Sequence, residues 1–221
     1  MKQQGMVFEK EITVRLRLQY LLYLPPEYGA DKAKKWPLLV FLHGAGEVGD
    51  NLELVKRYAI PRMIEAGQDF PFLVVSPQCH ENTYWDMHFE AMDELISDIE
   101  DKYAVDSGKI YLTGISMGGF GCFDFAMAYP GRFAAVVPVC GGASYPELAE
   151  VIKDVPVWVF HGAIDEAVPV EESEKVVKVL RGCKGNVKFT VYPENGHDVC
   201  SLAYLHPGLF EWLLQQRKEV S

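Results

Sequence analysis

Short apolar runs and longer stretches with helical spacing follow one another along the chain, and this pattern predicts its elements. Apolar or alternating runs predict strands at residues 8–17, 20–24, 37–42, 72–76, 110–113, 134–140, 155–160 and 187–192. The first two precede Pro25-Pro26 and predict an antiparallel pair at a sheet edge. Later runs, such as the continuous apolar run at 37–42, indicate strands that are buried on both faces.

Helical spacing follows most of these strands, as in the stretch where Leu95, Ile96 and Ile99 share one face. Helices are predicted at about 52–66, 89–103, 117–129, 145–152, 170–181 and 202–217. Strands that alternate with helices predict an α/β fold, a mostly parallel twisted sheet of about eight strands with helices on both faces. The chain has no repeat, low-complexity segment or linker, so we expect one domain over residues 1–221.

Composition and charge narrow the classes of partner. The 221 residues are 49% hydrophobic and 24% charged, which is ordinary for a globular protein. A net charge of −10 disfavours nucleic acid and anionic membranes as partners. No apolar run is long enough to span a bilayer. The N-terminus lacks an apolar signal segment, so we expect a cytoplasmic protein unless a signal has been removed.

Five cysteines are scattered along the chain, and none has the C-x-x-C spacing typical of a metal site. They are Cys79, Cys122, Cys140, Cys183 and Cys200. Their odd number and wide separation favour free, mostly buried thiols in a reducing compartment. A disulfide between two of them is the alternative. From this spacing we expect no metal site.

The strongest chemical motif is a serine flanked by glycines, Gly114-Ile115-Ser116-Met117-Gly118, between a predicted strand and a predicted helix. A G-x-S-x-G sequence in this context predicts a nucleophile elbow, a sharp turn that lifts the serine hydroxyl clear of the sheet. Side chains at the flanking positions would collide with the neighbouring strand and helix, which explains the glycines. The alternative is a Gly-Ser turn that connects the strand and the helix and has no catalytic role.

A serine hydroxyl needs a base to remove its proton and an acid to hold that base. Of six histidines, we expect His197 to be the base, because it follows the last strand and precedes the last helix. The others precede the serine, end a strand or adjoin the final helix. Asp165, just past the penultimate strand, is the predicted acid, ahead of Glu166 and Asp198. Its alternative is a turn or helix-start carboxylate.

Two backbone donors should stabilise the oxyanion that forms in such a reaction. We expect the N–H of Met117 and that of Ala45, with Gly46 as the alternative to Ala45. Trp85 is a candidate pocket wall, although a packed surface aromatic residue is equally consistent with its position. His43 is a second candidate near the pocket, with holding its own loop through hydrogen bonds as its more natural role.

Several segments together resemble compact α/β-hydrolase serine esterases of the carboxylesterase and phospholipase-like type. The similar segments are LHGAGE at 42–47, SPQC at 76–79, YLTGISMGG at 111–119 and FHGAID at 160–165. The order Ser116, Asp165, His197 is also that of the α/β-hydrolases. The sequence is similar as well to feruloyl and acetylxylan esterases and polyester depolymerases. Dienelactone hydrolases carry cysteine at the nucleophile position, from which Ser116 departs.

The resemblance implies hydrolysis of a small-molecule carboxylic ester, with short-chain acyl or small aromatic groups, through an acyl-enzyme. Neither a metal nor an organic cofactor is required by this chemistry. The short stretch at 141–154 predicts little or no lid. The alternatives are a feruloyl or acetylxylan esterase acting on plant polysaccharide, a peptidase or amidase with the same three residues, and a noncatalytic binding module.

Overall fold

The computed structural model describes residues 3–219, and a seven-stranded sheet lies at its centre. The strands are β1 (Gln19–Tyr23), β2 (Trp36–Leu42), β3 (Leu73–Gln78), β4 (Val105–Ile115), β5 (Ala135–Val139), β6 (Val157–Gly162) and β7 (Val187–Tyr192). Their order is β1-β3-β2-β4-β5-β6-β7. Strand β1 pairs antiparallel with β3, and all other pairs are parallel. The predicted mostly parallel sheet is confirmed.

Helices cover both faces of the sheet, also as predicted. They are α1 (Ala59–Glu65), α2 (Phe89–Lys102), α3 (Met117–Ala128), α4 (Glu171–Gly182), α5 (Val199–Leu202) and α6 (Leu209–Gln215). Short 3-10 helices lie at Ala45–Glu47, Leu52–Arg57, Trp85–His88, Pro146–Ile152 and Ala203–Leu205. The apolar faces of α2, α3 and α4 pack in one core on one side of the sheet. Those of α1, α5 and α6 pack in a second core on the other side.

The strand predicted at 8–17 is wrong, which is why seven strands are present rather than about eight. This segment has no regular secondary structure, and Phe8 and Ile12 are 89% and 75% exposed. Alternation of apolar and polar residues shows that a segment could lay one face on a core. A strand also needs a partner for its backbone hydrogen bonds, and the pattern does not supply one. The sheet edge is formed instead by β1 alone.

Two predicted helices are each interrupted. The stretch 52–66 forms a 3-10 helix and then α1, with a break where Ala59 takes a φ of +51°. The stretch 202–217 divides at Pro207-Gly208, where the glycine has a φ of +81° before α6 begins. A proline cannot continue a helix, and a positive φ suits glycine. The result is a short α5 immediately after His197.

Few other features bear on function. The connection between β5 and β6 holds one 3-10 helix, in agreement with the predicted absence of a substantial lid. The five cysteines are all free thiols, four of them buried. Among the described residues, no helix combines the length and the apolar composition that crossing a bilayer requires. The extent of the domain over residues 1–221 stays a prediction.

Candidate active site

Ser116 occupies a strained turn between β4 and α3. Its backbone has φ +54° and ψ −117°, a conformation that is unfavourable for a residue with a side chain and that persists only where the surroundings enforce it. The flanking glycines explain how the turn fits. A Cβ at Gly114 would lie 2.5 Å from the carbonyl oxygen of Gly118, and one at Gly118 would meet the carbonyl of Leu42. The sequence motif therefore adopts the elbow geometry.

Three side chains from different strand ends meet beside this turn. His197 Nε2 lies 3.0 Å from Ser116 Oγ, and His197 Nδ1 lies 2.7 Å from Asp165 Oδ2. Ser116 follows β4, Asp165 follows β6 and His197 follows β7, so the parallel sheet places all three at the carboxyl ends of its strands. The Asp165 contact places the proton of neutral His197 on Nδ1 and leaves Nε2 free to accept.

The Asp165 side chain is buried but well supplied with donors. Its Oδ1 accepts the backbone N–H groups of Ala167 and Val168, each at 2.9 Å. Burial raises the pKa of this carboxyl, but the hydrogen bonds from Val168 and His197 outweigh burial and hold the pKa below its usual value. His161 lies 3.5 Å from Asp165 Oδ2, and its own ring nitrogens bond to Ser173 and to the Val168 carbonyl. Asp165 therefore remains an ionised acceptor.

A cysteine that sequence reasoning missed also faces His197. Cys200 Sγ lies 3.8 Å from His197 Nε2, on the side of the ring that faces Ser116. Cys200 and Asp165 together raise the pKa of His197 to about 9. The Cys200 N–H donates to the His197 carbonyl at 3.2 Å, so a single turn leading into α5 brings the two residues together. The sequence predicts its last helix at 202–217, so no helical spacing relates Cys200 to His197.

The backbone N–H groups of Ala45 and Met117 are the predicted oxyanion donors. Ala45 begins the 3-10 helix after β2, and Met117 begins α3, so neither N–H has an intrahelical partner. In the part of the chain that the structure describes, neither donates to another group. Both residues line the same cavity as Ser116. Two available donors at helix starts are suited to an oxygen that becomes negatively charged.

Two cavities of similar size have Ser116 and Ala45 in their walls. The first, of about 400 Å³, is lined by Ala45, Tyr84, Trp85, Asp86, Ser116, Met117, Phe120, Gly121, Asp124, Ser144 and Val168. The second, of about 410 Å³, is lined by Gly44, Ala45, Gly46, Glu47, Tyr58, Ile115, Ser116, His197, Asp198, Cys200 and Ser201. Each has room for one part of a small ester, and the serine lines both.

Of the two candidate pocket residues, Trp85 lines a cavity beside the serine and His43 lies behind it. Trp85 forms part of the wall of the first cavity, although only 1% of its surface is exposed, and its indole N–H donates to the His43 carbonyl. His43 is buried behind that wall, with its ring centroid 4.8 Å from that of Trp85. Its Nδ1 bonds to the Gly44 carbonyl and its Nε2 accepts the Cys79 N–H. Among the described residues, His43 lines neither cavity beside the serine.

Two carboxylates in the first cavity were not foreseen. Asp124 accepts the Ser144 N–H at 2.9 Å and the Ser144 hydroxyl at 2.6 Å, and burial raises the pKa of its carboxyl. Asp86 lies on the same cavity. Helical spacing could have revealed Asp124, because residues 117, 121 and 124 fall on one face of α3. Asp86 follows from no spacing, since the 3-10 helix at Trp85–His88 meets the cavity only in the folded chain.

The fold and this arrangement of serine, histidine and aspartate define the α/β-hydrolase class. Residues 58–203 match the sequence pattern of the phospholipase/carboxylesterase family. The chain belongs to this family, and the resemblance found in its sequence is confirmed.

Comparison with individual proteins also shows similarity to esterases. A crystal structure of a thermostable esterase superposes with a TM-score of 0.78 and 33% identity, over 90% of this chain and 59% of that one. A ferulic acid esterase, 22% identical with a TM-score of 0.65, covers 88% of this chain and 90% of its own, and shows the fold alone. A bifunctional acetylxylan esterase/xylanase of Neocallimastix patriciarum is 25% identical over 115 residues, 50% of this chain but 17% of that protein. The chain thus spans only part of the length of these first and third relatives.

Proposed function

We propose that this protein is a carboxylesterase in which Ser116 is the nucleophile. The observation that carries the proposal is the continuous line from Asp165 through His197 to Ser116, with contacts of 2.7 and 3.0 Å. Neutral His197 removes the serine proton as the hydroxyl attacks the ester carbonyl. The imidazolium then gives that proton to the departing alcohol, and an acyl-enzyme remains. Water repeats the sequence and releases the acid.

The supporting groups have distinct tasks in this proposal. Asp165 holds the His197 tautomer and stabilises the imidazolium that forms. The N–H groups of Met117 and Ala45 donate to the oxyanion of each tetrahedral intermediate. Trp85 and its bond to the His43 carbonyl hold the wall beside the acyl or alcohol group. These groups and water complete the reaction, and none of its steps calls for a metal or an organic cofactor.

The substrate that fits best is a small ester with one polar part. Each cavity beside Ser116 has a volume of about 400 Å³, enough for a short acyl or small aromatic group. The first cavity exposes Asp86, Asp124 and Ser144, which accept hydrogen bonds from hydroxyl groups. An acetylated or feruloylated sugar is therefore the more specific candidate. The similarity to an acetylxylan esterase over half of the chain supports it.

The test of the nucleophile is Ser116→Ala, with Ser97→Ala on the distant helix α2 as the matched control. We expect Ser116→Ala to lower kcat for p-nitrophenyl acetate by about 10⁶ and to lose labelling by a fluorophosphonate probe. Ser97→Ala should keep both. Circular dichroism spectra of the two variants should match that of the wild type. Near-wild-type hydrolysis by Ser116→Ala would refute the proposed mechanism.

A substrate panel tests the specificity. Short-chain p-nitrophenyl esters, methyl ferulate, acetylated xylan and a matched peptide p-nitroanilide should be compared by kcat/KM. We expect the esters to exceed the anilide and a polysaccharide ester to exceed a long-chain p-nitrophenyl ester. Faster cleavage of the anilide would favour a peptidase or amidase instead.

A further inference from the structure

Two cysteines lie beside the proposed base and have no role in the proposed hydrolysis. Cys140 directly follows β5, and Cys200 lies in α5, three residues after His197. The two sulfur atoms and a ring nitrogen of His197 all lie within 4.8 Å of one another. Cys200 Sγ is 3.8 Å from His197 Nε2, the nitrogen that also faces Ser116. Two segments that are distant in sequence, one with Cys140 and one with His197 and Cys200, thus bring three ligand atoms close together.

Two thiols and an imidazole suit a soft or borderline metal ion, zinc above all. Tetrahedral zinc binds sulfur at about 2.3 Å and nitrogen at about 2.0 Å, which separates two ligand atoms by roughly 3.5–3.8 Å. The Cys200–His197 distance of 3.8 Å is already of this size. Magnesium and calcium prefer several oxygen ligands and match this set poorly. The sequence spacing predicted no metal site because Cys140 and Cys200 lie far apart along the chain.

The surroundings prepare His197 and Cys200 as ligands. A carboxylate behind the imidazole is the usual support of a zinc-binding histidine, and Asp165 holds His197 Nδ1 at 2.7 Å. The lone pair of the neutral ring is then at Nε2, on the side of Cys200. Cys200 lines the second cavity beside the same nitrogen, so its sulfur can share one coordination sphere with His197.

An ion has a route to this cluster. The second cavity, of about 410 Å³, is lined by Cys200 and His197 and opens beside Ser116. Cys200 is 9% exposed, while Cys140 is fully buried behind it. An ion that enters this cavity meets His197 and Cys200 first, and then Cys140. Water or the Ser116 hydroxyl completes a tetrahedral set from the cavity side.

We propose that Cys140, Cys200 and His197 bind one zinc ion and that this ion reversibly inhibits the enzyme. The thiols bind as thiolates and His197 as the neutral ring, and any protons that these three groups carry beforehand pass to solvent. Neutral His197 binds through the Nε2 lone pair. That lone pair can no longer accept the Ser116 proton, so the base is withdrawn from the reaction. The inhibition rests on the proposed function, but the metal binding does not.

Cobalt(II) tests the binding directly, because it occupies zinc sites and gives thiolate charge-transfer absorption. The reduced full chain is titrated with cobalt as wild type, Ser116→Ala, Cys200→Ala and the control Cys183→Ala. We expect the wild type, Ser116→Ala and Cys183→Ala each to bind one cobalt per chain with the thiolate band, and Cys200→Ala to lack this binding. Zinc should displace the bound cobalt. Loss of a supporting partner typically costs roughly 10–100-fold in affinity, so loss of the Cys200 ligand should cost more than about 100-fold.

Activity forms the second arm of the test. Zinc should inhibit ester hydrolysis by the wild type and Cys183→Ala, a chelator should restore it, and Cys200→Ala should resist inhibition. A missing thiolate band in the wild type, or a band and inhibition that persist in Cys200→Ala, would overturn the metal site. If no ester is hydrolysed but the band appears and depends on Cys200, the metal site stands and the proposed function fails. If ester is hydrolysed but no thiolate band appears, the proposed function stands and the metal site fails.

Discussion

His43 and His197 both follow strands at the same edge of the sheet, yet their surroundings make them opposite groups. His43 is buried against Trp85, accepts the Cys79 N–H and has its pKa lowered to about 4 by burial. His197 is partly exposed, and Cys200 and Asp165 raise its pKa to about 9. The same side chain is a buried neutral support in one loop and the proposed proton acceptor in the other.

The difference teaches that the position of a histidine in the sheet does not decide its chemistry. A buried imidazole without an acidic partner remains neutral because charging it would cost desolvation energy. An imidazole that is held by a carboxylate gains a proton easily and faces the serine with its other nitrogen. The comparison can be tested by removing each ring in turn and comparing the effects on activity and stability.

The largest expected effect is the loss of the His197 ring. His197→Ala should lower kcat for p-nitrophenyl acetate by about 10⁶, because His197 is the one base within hydrogen-bond distance of Ser116 Oγ among residues 3–219. His43→Ala acts only through the loop that carries the Ala45 N–H, so its loss should not exceed about 10²–10³, the usual cost of one oxyanion donor. Steady-state kinetics on both variants checks this. Equal losses would erase the distinction between the two histidines.

The second effect concerns the carboxylate that His43 lacks. Asp165→Asn should lower kcat by on the order of 10⁴, because an amide NH₂ at this place favours the wrong tautomer of His197. The matched control is Asp198→Asn, next to His197 but bonded to Asn195 at 2.9 Å. We expect the control to change kcat much less. If both substitutions have the same effect, Asp165 does not orient the base.

The strand ends were predictable from the sequence because local signals and one topological rule agree there. Apolar runs marked β2 to β7, and the rule that parallel strands present their carboxyl ends at one edge selected Ser116, Asp165 and His197. The three residues are far apart in sequence, yet the structure places their side chains in contact at 3.0 and 2.7 Å. The rule therefore locates residues that no local sequence signal connects. The catalytic roles themselves stay predictions.

Features that depend on tertiary partners were not predictable. The segment 8–17 alternates like a strand, but no neighbour pairs with it. Cys140 and Cys200 converge on His197 only because β5 and α5 end at the same edge, and no sequence spacing encodes that meeting. Asp86 lines the cavity from the 3-10 helix at Trp85–His88, in which Trp85 is buried. In each case the contact depends on the three-dimensional fold and could not be predicted from the sequence alone.

The third effect is on stability, and it belongs to His43. His43→Ala leaves the buried Cys79 N–H without an acceptor, which should lower the free energy of unfolding by about 1–3 kcal/mol. The half-exposed His80 gives the control, and His80→Ala should cost less than about 0.5 kcal/mol. Urea unfolding at pH 7 measures both. Equal stability of the two variants would show that His43 does not support the loop.

The same ring makes wild-type stability depend on acid. The pKa of His43 is lower in the folded chain than in the unfolded chain, so the unfolded chain binds the proton more readily. Its stabilising contribution is complete above pH 6.5 and declines as the pH falls toward 4, by on the order of 2 kcal/mol between pH 7 and 5. His43→Ala should lack this part of the decline, as urea titrations at both pH values would show.

The smallest effect, a displaced pH profile, separates the two influences on His197. The reaction requires the neutral ring, so a raised pKa places the acidic limb of the kcat/KM profile above pH 6.5. Cys200 is the first cause of the rise, and Cys200→Ala should therefore move that limb to lower pH, while Cys183→Ala leaves it in place. Asp165 still holds the ring in the variant, so the limb should not fall to the His43 value. An unmoved limb would mean that Asp165 alone distinguishes His197 from His43, and that the thiol lies too far from Nε2 to influence the proton.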